Sequence, residues 1–414
     1  MRIMARVWTA VAAAGIFLTA ACGADPTAPG PASPPGRTPP SSAAPGVTAP
    51  GTTPSPASAP SGATAAPRPT GRIETAPEWK TVPDPPLKPS HSLVDVAASG
   101  PSEVWAVGYQ YGAEDREGMP AVVRWDGSRW REMKVGADEV YHMEGVSVGG
   151  PDDVWIAGNG ESAFTAHWDG RRWTPHRPFG VAQDHRLSDV AASGGRAWFV
   201  SNSPGGASVV EWTGDRFRNV FQSPSTIEAI TVGDGRVWAV GHSGAQGPVI
   251  IEGTGQSWGS QGFPEIPGGR LNQVWQVSPS DVWAVGEVST GPEDIYGHRP
   301  AEPLVMHWNG SEWARVQIPV ARGSLHGVTA SGGDVWVGGV DADHPGRPLM
   351  LRFDGAQWTA RYGPLLRTPG PEQQYEVSDD VRRTVVTAVP GSRTVWAVGA
   401  VGWGDTEAGF ALRH

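Results

Sequence analysis

The sequence predicts an all-β fold, a seven-bladed β-propeller with four antiparallel strands per blade, and three observations predict it. A Trp-centred pentapeptide of the form V-W-A-V-G occurs seven times, and a turn-forming W-D-G-x-x-W segment follows most of the copies. The strand count balances if an N-terminal segment near residue 80 supplies the outer strand of the last blade. A repeat that cannot cover both faces of its own sheet must pack between copies of itself, and closing the ring removes the open ends.

The seven centres are Val104–Gly108, Val154–Gly158, Ala197–Val200, Val237–Gly241, Val282–Gly286, Val335–Gly339 and Val395–Gly399, about 40 to 60 residues apart. Each is preceded by a second apolar run. In order these are Leu93–Ala98, Met143–Val148, Leu187–Ala192, Ile227–Val232, Leu271–Val277, Leu325–Ala330 and Val385–Val389. Turns such as Ser99-Gly100-Pro101-Ser102-Glu103 join each run to its centre as a hairpin.

The second hairpin is W-D-G-x-x-W or a close variant. Trp125-Asp126-Gly127 with Trp130, Trp168-Asp169-Gly170 with Trp173 and Trp308-Asn309-Gly310 with Trp313 are its clearest copies. Trp212-Thr213-Gly214 with Phe217 and Phe353-Asp354-Gly355 with Trp358 are variants, and Gly253-Thr254-Gly255 with Trp258 is degenerate. Glycine beside Asp or Asn supplies the positive φ a tight turn demands.

The seventh repeat stops at Phe410–His414, one strand short, while Glu78-Trp79-Lys80-Thr81-Val82 resembles the outer-strand segment Glu312–Val316. The early segment is therefore expected to pair beside the C-terminal strand. The pentapeptide tryptophans are expected to be core, each indole packing on the small-residue face of the next blade.

Upstream of residue 76 the composition changes. Residues 1–21 have basic Arg2 and Arg6, an apolar run from Val7 to Ala20 and small residues before Cys22, the pattern of a secretory signal. Cys22 is the only cysteine, so it has no intrachain disulfide partner. Residues 22–75 are dominated by Pro, Ala, Ser, Thr and Gly, a composition expected to form a disordered spacer and not a core. At about 3.1 Å per residue for polyproline geometry, such a tether reaches on the order of 100 Å. The net charge of −10 argues against a nucleic-acid partner, which would need a basic face.

The segment ending in Cys22 resembles the lipobox of bacterial lipoproteins. That likeness implies acylation of Cys22 (palmitate among its chains) and anchoring on the outer face of the cell membrane. With its seven pentapeptides the chain resembles the V-W-A-V-G propeller lipoproteins of high-GC Gram-positive bacteria. It is loosely similar to the kelch and galactose-oxidase-like propeller superfamily. The kelch pattern of a glycine doublet followed by spaced Tyr and Trp is missing. The copper chemistry of galactose oxidase needs a Tyr–Cys crosslink, and Cys22 lies far from the repeats. The D-G-x-x-W turns also resemble sialidase Asp-boxes, with a different Asp–Gly spacing.

Propeller geometry places the loops entering the inner strands and those leaving the V-W-A-V-G strands at one face, where propeller ligands commonly sit. Long connections mark that face: 109–119, 287–302, 340–347, 361–383 and 400–408. Candidate ligand-binding residues there are His91, Tyr141, His142, His185, Arg186, Arg270, Arg383, Glu287 and Trp403. Three converging arginines would hold a carboxylate or sulfate by bidentate bonds; the alternative is that they are separate, solvated rim charges. Asp341-Ala342-Asp343-His344 offers oxygen and nitrogen ligands in one loop, but no second cluster stands at metal-site spacing. No H-E-x-x-H, paired CxxC or G-x-S-x-G motif occurs, and no metal, cofactor or catalytic residue is expected. The expected function is a monomeric, non-enzymatic surface module binding an extracellular protein or glycan. The alternative is a carbohydrate-active enzyme, a polysaccharide lyase or glycoside hydrolase, with its site at the channel mouth.

Overall fold

The computed structural model describes residues 72–75, 78–111, 118–136, 139–177, 184–255, 257–292, 299–366, 380–402 and 407–414. The chain divides into two units, Met1–Ala65 and Ala66–His414, and every described residue belongs to the second. Cys22 and most of the spacer lie outside the described residues, as does Trp403.

Seven sheets are present, and each is built on four antiparallel strands. Blade 1 shows the order: Ser90–Gly100 innermost, then Glu103–Tyr111 with the pentapeptide, Met119–Trp125, and Trp130–Glu132 outermost. The inner strands touch in succession around the ring, and Val381–Ala388 of blade 7 returns to Ser90–Gly100 of blade 1. A central channel follows from that closure.

The seventh blade closes as the sequence predicts. Lys80 pairs with Arg413 and Thr81 with Leu412, antiparallel. The Val82 amide adds a 3.0 Å bond to the Ala411 carbonyl. A further strand was not foreseen: Arg72–Thr75, read as spacer, runs parallel to Trp358–Tyr362 and gives blade 6 a fifth strand.

The indoles are core, and their packing is more specific than a large residue on a small-residue face. Trp105 of blade 1 sits between Trp168 and Trp173 of blade 2, centroids at 5.5 and 5.4 Å. Trp238 does the same with Trp308 and Trp313, and Trp396 with Trp125 and Trp130. The W-D-G-x-x-W hairpin thus provides an aromatic slot for the indole of the preceding blade. In blade 7 the slot for Trp336 is made by Trp79 and His414, at 5.7 and 4.8 Å. Gly127 at the hairpin turn has φ 96°, and the Asp126 carboxylate accepts the Ser128 and Arg129 amides.

Members of charged pairs lie against five of the pentapeptide indoles, Arg124 on Trp105, His167 on Trp155, Arg196 on Trp198, His307 on Trp283 and Arg352 on Trp336. Glu103 and Arg124 pair in blade 1, Asp153 and His167 in blade 2, Asp281 and His307 in blade 5, Asp334 and Arg352 in blade 6. Blades 3 and 4 keep the contact with the charges exchanged, as Arg196–Glu211 and Arg236–Glu252. An exchanged pair identifies an interaction the repeat keeps, whichever strand carries which sign.

Candidate functional site

The inner strands carry a feature that the apolar pattern does not announce. In six blades the inner-strand residue at one shared position is skipped in the pairing with the pentapeptide strand, a β-bulge. The skipped residues are Val94, Glu144, Ser188, Glu228, Asn272 and His326. Blade 7 shifts its bulge earlier, to Arg382. A bulge breaks the strict alternation of faces and re-aims a side chain. All six skipped side chains line one cavity of about 770 Å³ at the mouth where the inner strands begin.

The inner-strand backbone lies close against the closing glycine of the pentapeptide. A Cβ on Gly286 would lie 2.0 Å from the Arg270 carbonyl oxygen, and one on Gly108 equally close to that of Ser92. In these two blades the inner-strand carbonyl leaves no room for a side chain. Blade 3 has Ser201 at this position, its hydroxyl 3.0 Å from His185 Nδ1.

Of the nine predicted ligand residues, Tyr141, His142, Arg186, Arg270, Arg383 and Glu287 line this first mouth. His91 and His185 do not. His91 is buried, its Nδ1 2.8 Å from the Lys88 carbonyl and its ring against Gly409, so it joins blade 1 to blade 7. Trp403 falls outside the described residues.

The three arginines do not form a free anion cradle. Arg270 Nη2 is 2.8 Å from Glu228 Oε1 and 2.9 Å from His242 Nε2. Arg186 Nη1 donates to the Gly160 carbonyl at 2.6 Å. Arg383 is exposed in the cavity wall. Five carboxyl groups face these three guanidiniums: Asp95, Glu144, Asp189, Glu228 and Glu287. The mouth is therefore a mixed, charge-compensated surface.

Sequence reasoning missed the two carboxyls at the waist of the channel, Asp95 and Asp189, which are buried. Asp95 accepts the Val96 amide of its own strand and the Val146 amide of blade 2, both at 2.8 Å. Asp189 accepts Val190 and, across to blade 4, Ile230. The shared segments Asp95-Val96-Ala97-Ala98-Ser99 and Asp189-Val190-Ala191-Ala192-Ser193 were the available signal. Burial pushes Asp95 up to about 7 despite those bonds and the Arg383 charge. Burial, then the Asp95 charge, pushes Asp189 up as well.

Other groups at the mouth are tuned by contact. Burial opposes ionisation of Glu228, but His242 and Arg270 hold it below the usual glutamate range. Burial raises Glu287, which lies opposite Ser324 in blade 6. Burial, aided by the Arg383 charge, lowers His326 to about 3, so its imidazole is neutral at physiological pH. Tyr109 packs on His142 at 4.6 Å and donates to Glu407 Oε2 at 3.0 Å. That bond joins the blade 1 rim to the blade 7 loop.

The Asp341–His344 loop turns inward. Buried Asp341 accepts Tyr362 Oη, the Asp343 amide and a contact from His344 Nδ1, while Asp343 pairs with Arg322. These bonds use the oxygens a cation would need. Among the described residues no group of three or more His, Cys, Asp or Glu side chains is placed to hold a metal ion.

No protein-family model matches the sequence, and no curated protein aligns with it significantly. Solved structures do resemble the fold. One is YCF48 bound to D1 peptide, 14% identical with a TM-score of 0.54, the match covering 83% of this chain and 97% of that one. Another is YCF48 from Cyanidioschyzon merolae, 14% identical with a TM-score of 0.51, covering 81% and 98%. The likeness is one of fold.

Proposed function

We propose that this chain is a lipid-anchored surface lipoprotein whose propeller binds an extended segment of a partner protein at the first mouth. The observation that carries the binding reading is the use already made of the most perturbed carboxyls. Both oxygens of Asp95 accept main-chain amides, and so do both oxygens of Asp189. They brace the blades and are poorly placed to pass protons to a ligand, which the competing lyase or hydrolase reading would require.

What remains at the mouth suits a peptide. Arg383 offers a guanidinium to a carboxylate or carbonyl, Asn272 and Ser188 offer neutral polar groups, and Tyr141 and His142 offer flat faces. A propeller of similar fold with a bound peptide supports the choice. The anchor rests on Cys22 and the small-residue segment before it.

Selection of a displayed library of linear peptides on the full chain tests the binding reading. Enriched peptides should lose about tenfold or more in affinity to Arg383→Ala, the scale of a truncated anchor residue. No enrichment, or peptides indifferent to Arg383→Ala and Glu228→Gln alike, contradicts it. The anchor is tested separately by metabolic palmitate labelling, which Cys22→Ala should abolish.

A further inference from the structure

The channel has a second mouth, at the far ends of the inner strands, and one blade breaks the repeat there. Opposite each pentapeptide tryptophan stands an inner-strand residue: Ala97, Ser147, Ala191, Thr231, Thr329 and Thr387 in six blades. Small size has a use at this position. Ser147 Oγ accepts the Ala192 amide and Thr329 Oγ1 the Ala388 amide, each from the next blade. Blade 5 has Trp275 instead, opposite Trp283. The indole stands out, 36% exposed, and Val277 beside it is 43% exposed.

The neighbouring side chain is anomalous too. Neither Nε2 nor Oε1 of Gln276 has a hydrogen-bond partner among the described residues, although both atoms are buried. A buried amide left unpaired costs about 1–3 kcal/mol, and such a group calls for a ligand or water to complete it. Trp275 and Gln276 line one cavity of about 820 Å³, within the range of small-ligand sites.

We infer that this second mouth is a binding site for a neutral sugar ring, with Trp275 as stacking platform and Gln276 as the amide that pairs with ring hydroxyls. The chemistry of the wall selects that class. Beyond the waist carboxyls, whose oxygens are already bonded, Arg393 at the rim is the one charged lining residue among those described, so a charged ligand finds little to balance it. The Ala192 and Ala388 amides are bonded across blades, which leaves an extended peptide few main-chain groups for strand addition. An indole face and an unpaired donor–acceptor amide in one cavity wall match a pyranose, which has an apolar C–H face and a polar edge.

The test uses the full chain with maltotriose, cellotriose and tri-N-acetylchitotriose as probes, read by saturation-transfer NMR and titration calorimetry. At least one should bind, with Kd on the order of millimolar or tighter. Affinity should fall about tenfold or more in Trp275→Thr and in Gln276→Met, and be unchanged in Arg383→Ala at the other mouth. Trp275→Thr installs the residue three other blades carry, so its melting temperature should equal or exceed that of the parent. Silence from all three sugars overturns the inference, as does binding that survives either substitution. A Trp275-dependent response to a proline–tryptophan peptide without any sugar response also overturns it. Peptide binding at the first mouth is read independently by the Arg383→Ala arm.

Discussion

Trp79 stands edge-on to Trp336 with ring centroids 5.7 Å apart, although one precedes the first blade and the other belongs to the sixth. This contact repeats, across the closing blade, the relation of Trp313 to Trp238 and of Trp130 to Trp396. His414 completes the slot and approaches Glu78 Oε2 at 3.1 Å. Closure is therefore a side-chain clasp as well as a two-residue strand pairing.

Removing the clasp should be costly. Trp79 is 4% exposed, and truncating a buried indole to Ala typically costs about 3–5 kcal/mol. Trp79→Ala should lower the urea midpoint by that equivalent. It should also raise hydrogen exchange in residues 408–413 before the other blades. Loss spread evenly over all seven blades would argue against a local clasp.

The close approach of the Arg270 carbonyl predicts a glycine requirement at Gly286. Gly286→Ala should destabilise the protein by about 2–3 kcal/mol, since the added methyl meets the Arg270 carbonyl and the strand must shift. Because that strand carries Arg270 and Asn272, peptide affinity at the first mouth should fall with it. A thermal melt and a binding titration on one preparation check both halves.

The exchanged ion pairs predict a rescue. Arg236→Glu and Glu252→Arg should each destabilise, while the double variant, which adopts the acid-first arrangement of blade 1, should regain most of the loss. The coupling should be about 0.5–1 kcal/mol, as both side chains are partly solvated. A double-mutant cycle in urea measures it.

Stability should depend on pH through the waist. Asp95 is raised from 3.8 in the ordinary case to about 7 in the fold, so the folded state holds a proton that the unfolded chain has released. The contribution is full below the unfolded pKa and is lost as pH rises toward 7 and through it. Asp189 acts in the same direction. Unfolding free energy should thus decline from pH 5 to pH 8 by on the order of a few kcal/mol, and Asp95→Asn should flatten the slope. A flat profile in the parent protein would contradict the burial argument.

The sequence made some of this legible and not the rest, for physical reasons. Trp-centred strands and Asp-Gly turns are local signals, so the blade number and the closing segment at Trp79 could be read directly. Bulges are backbone events, and the apolar run Leu271–Val277 looks the same with or without one. The long loops drew attention to charged rim residues such as Arg186 and Arg270. The skipped residues Glu144, Glu228 and His326 were hidden inside strands. Trp275 passed as one more apolar residue because only the register shows what stands in its place elsewhere.

The measurement that bears most directly on the binding account is site-specific photocrosslinking on the full chain with a selected peptide. A benzoylphenylalanine placed at Asn272, in the first mouth, should give a peptide adduct, whereas one at Ser128, in an outer hairpin, should give none. Adducts at Ser128 and none at Asn272 would contradict the account and move the binding surface to the blade rims.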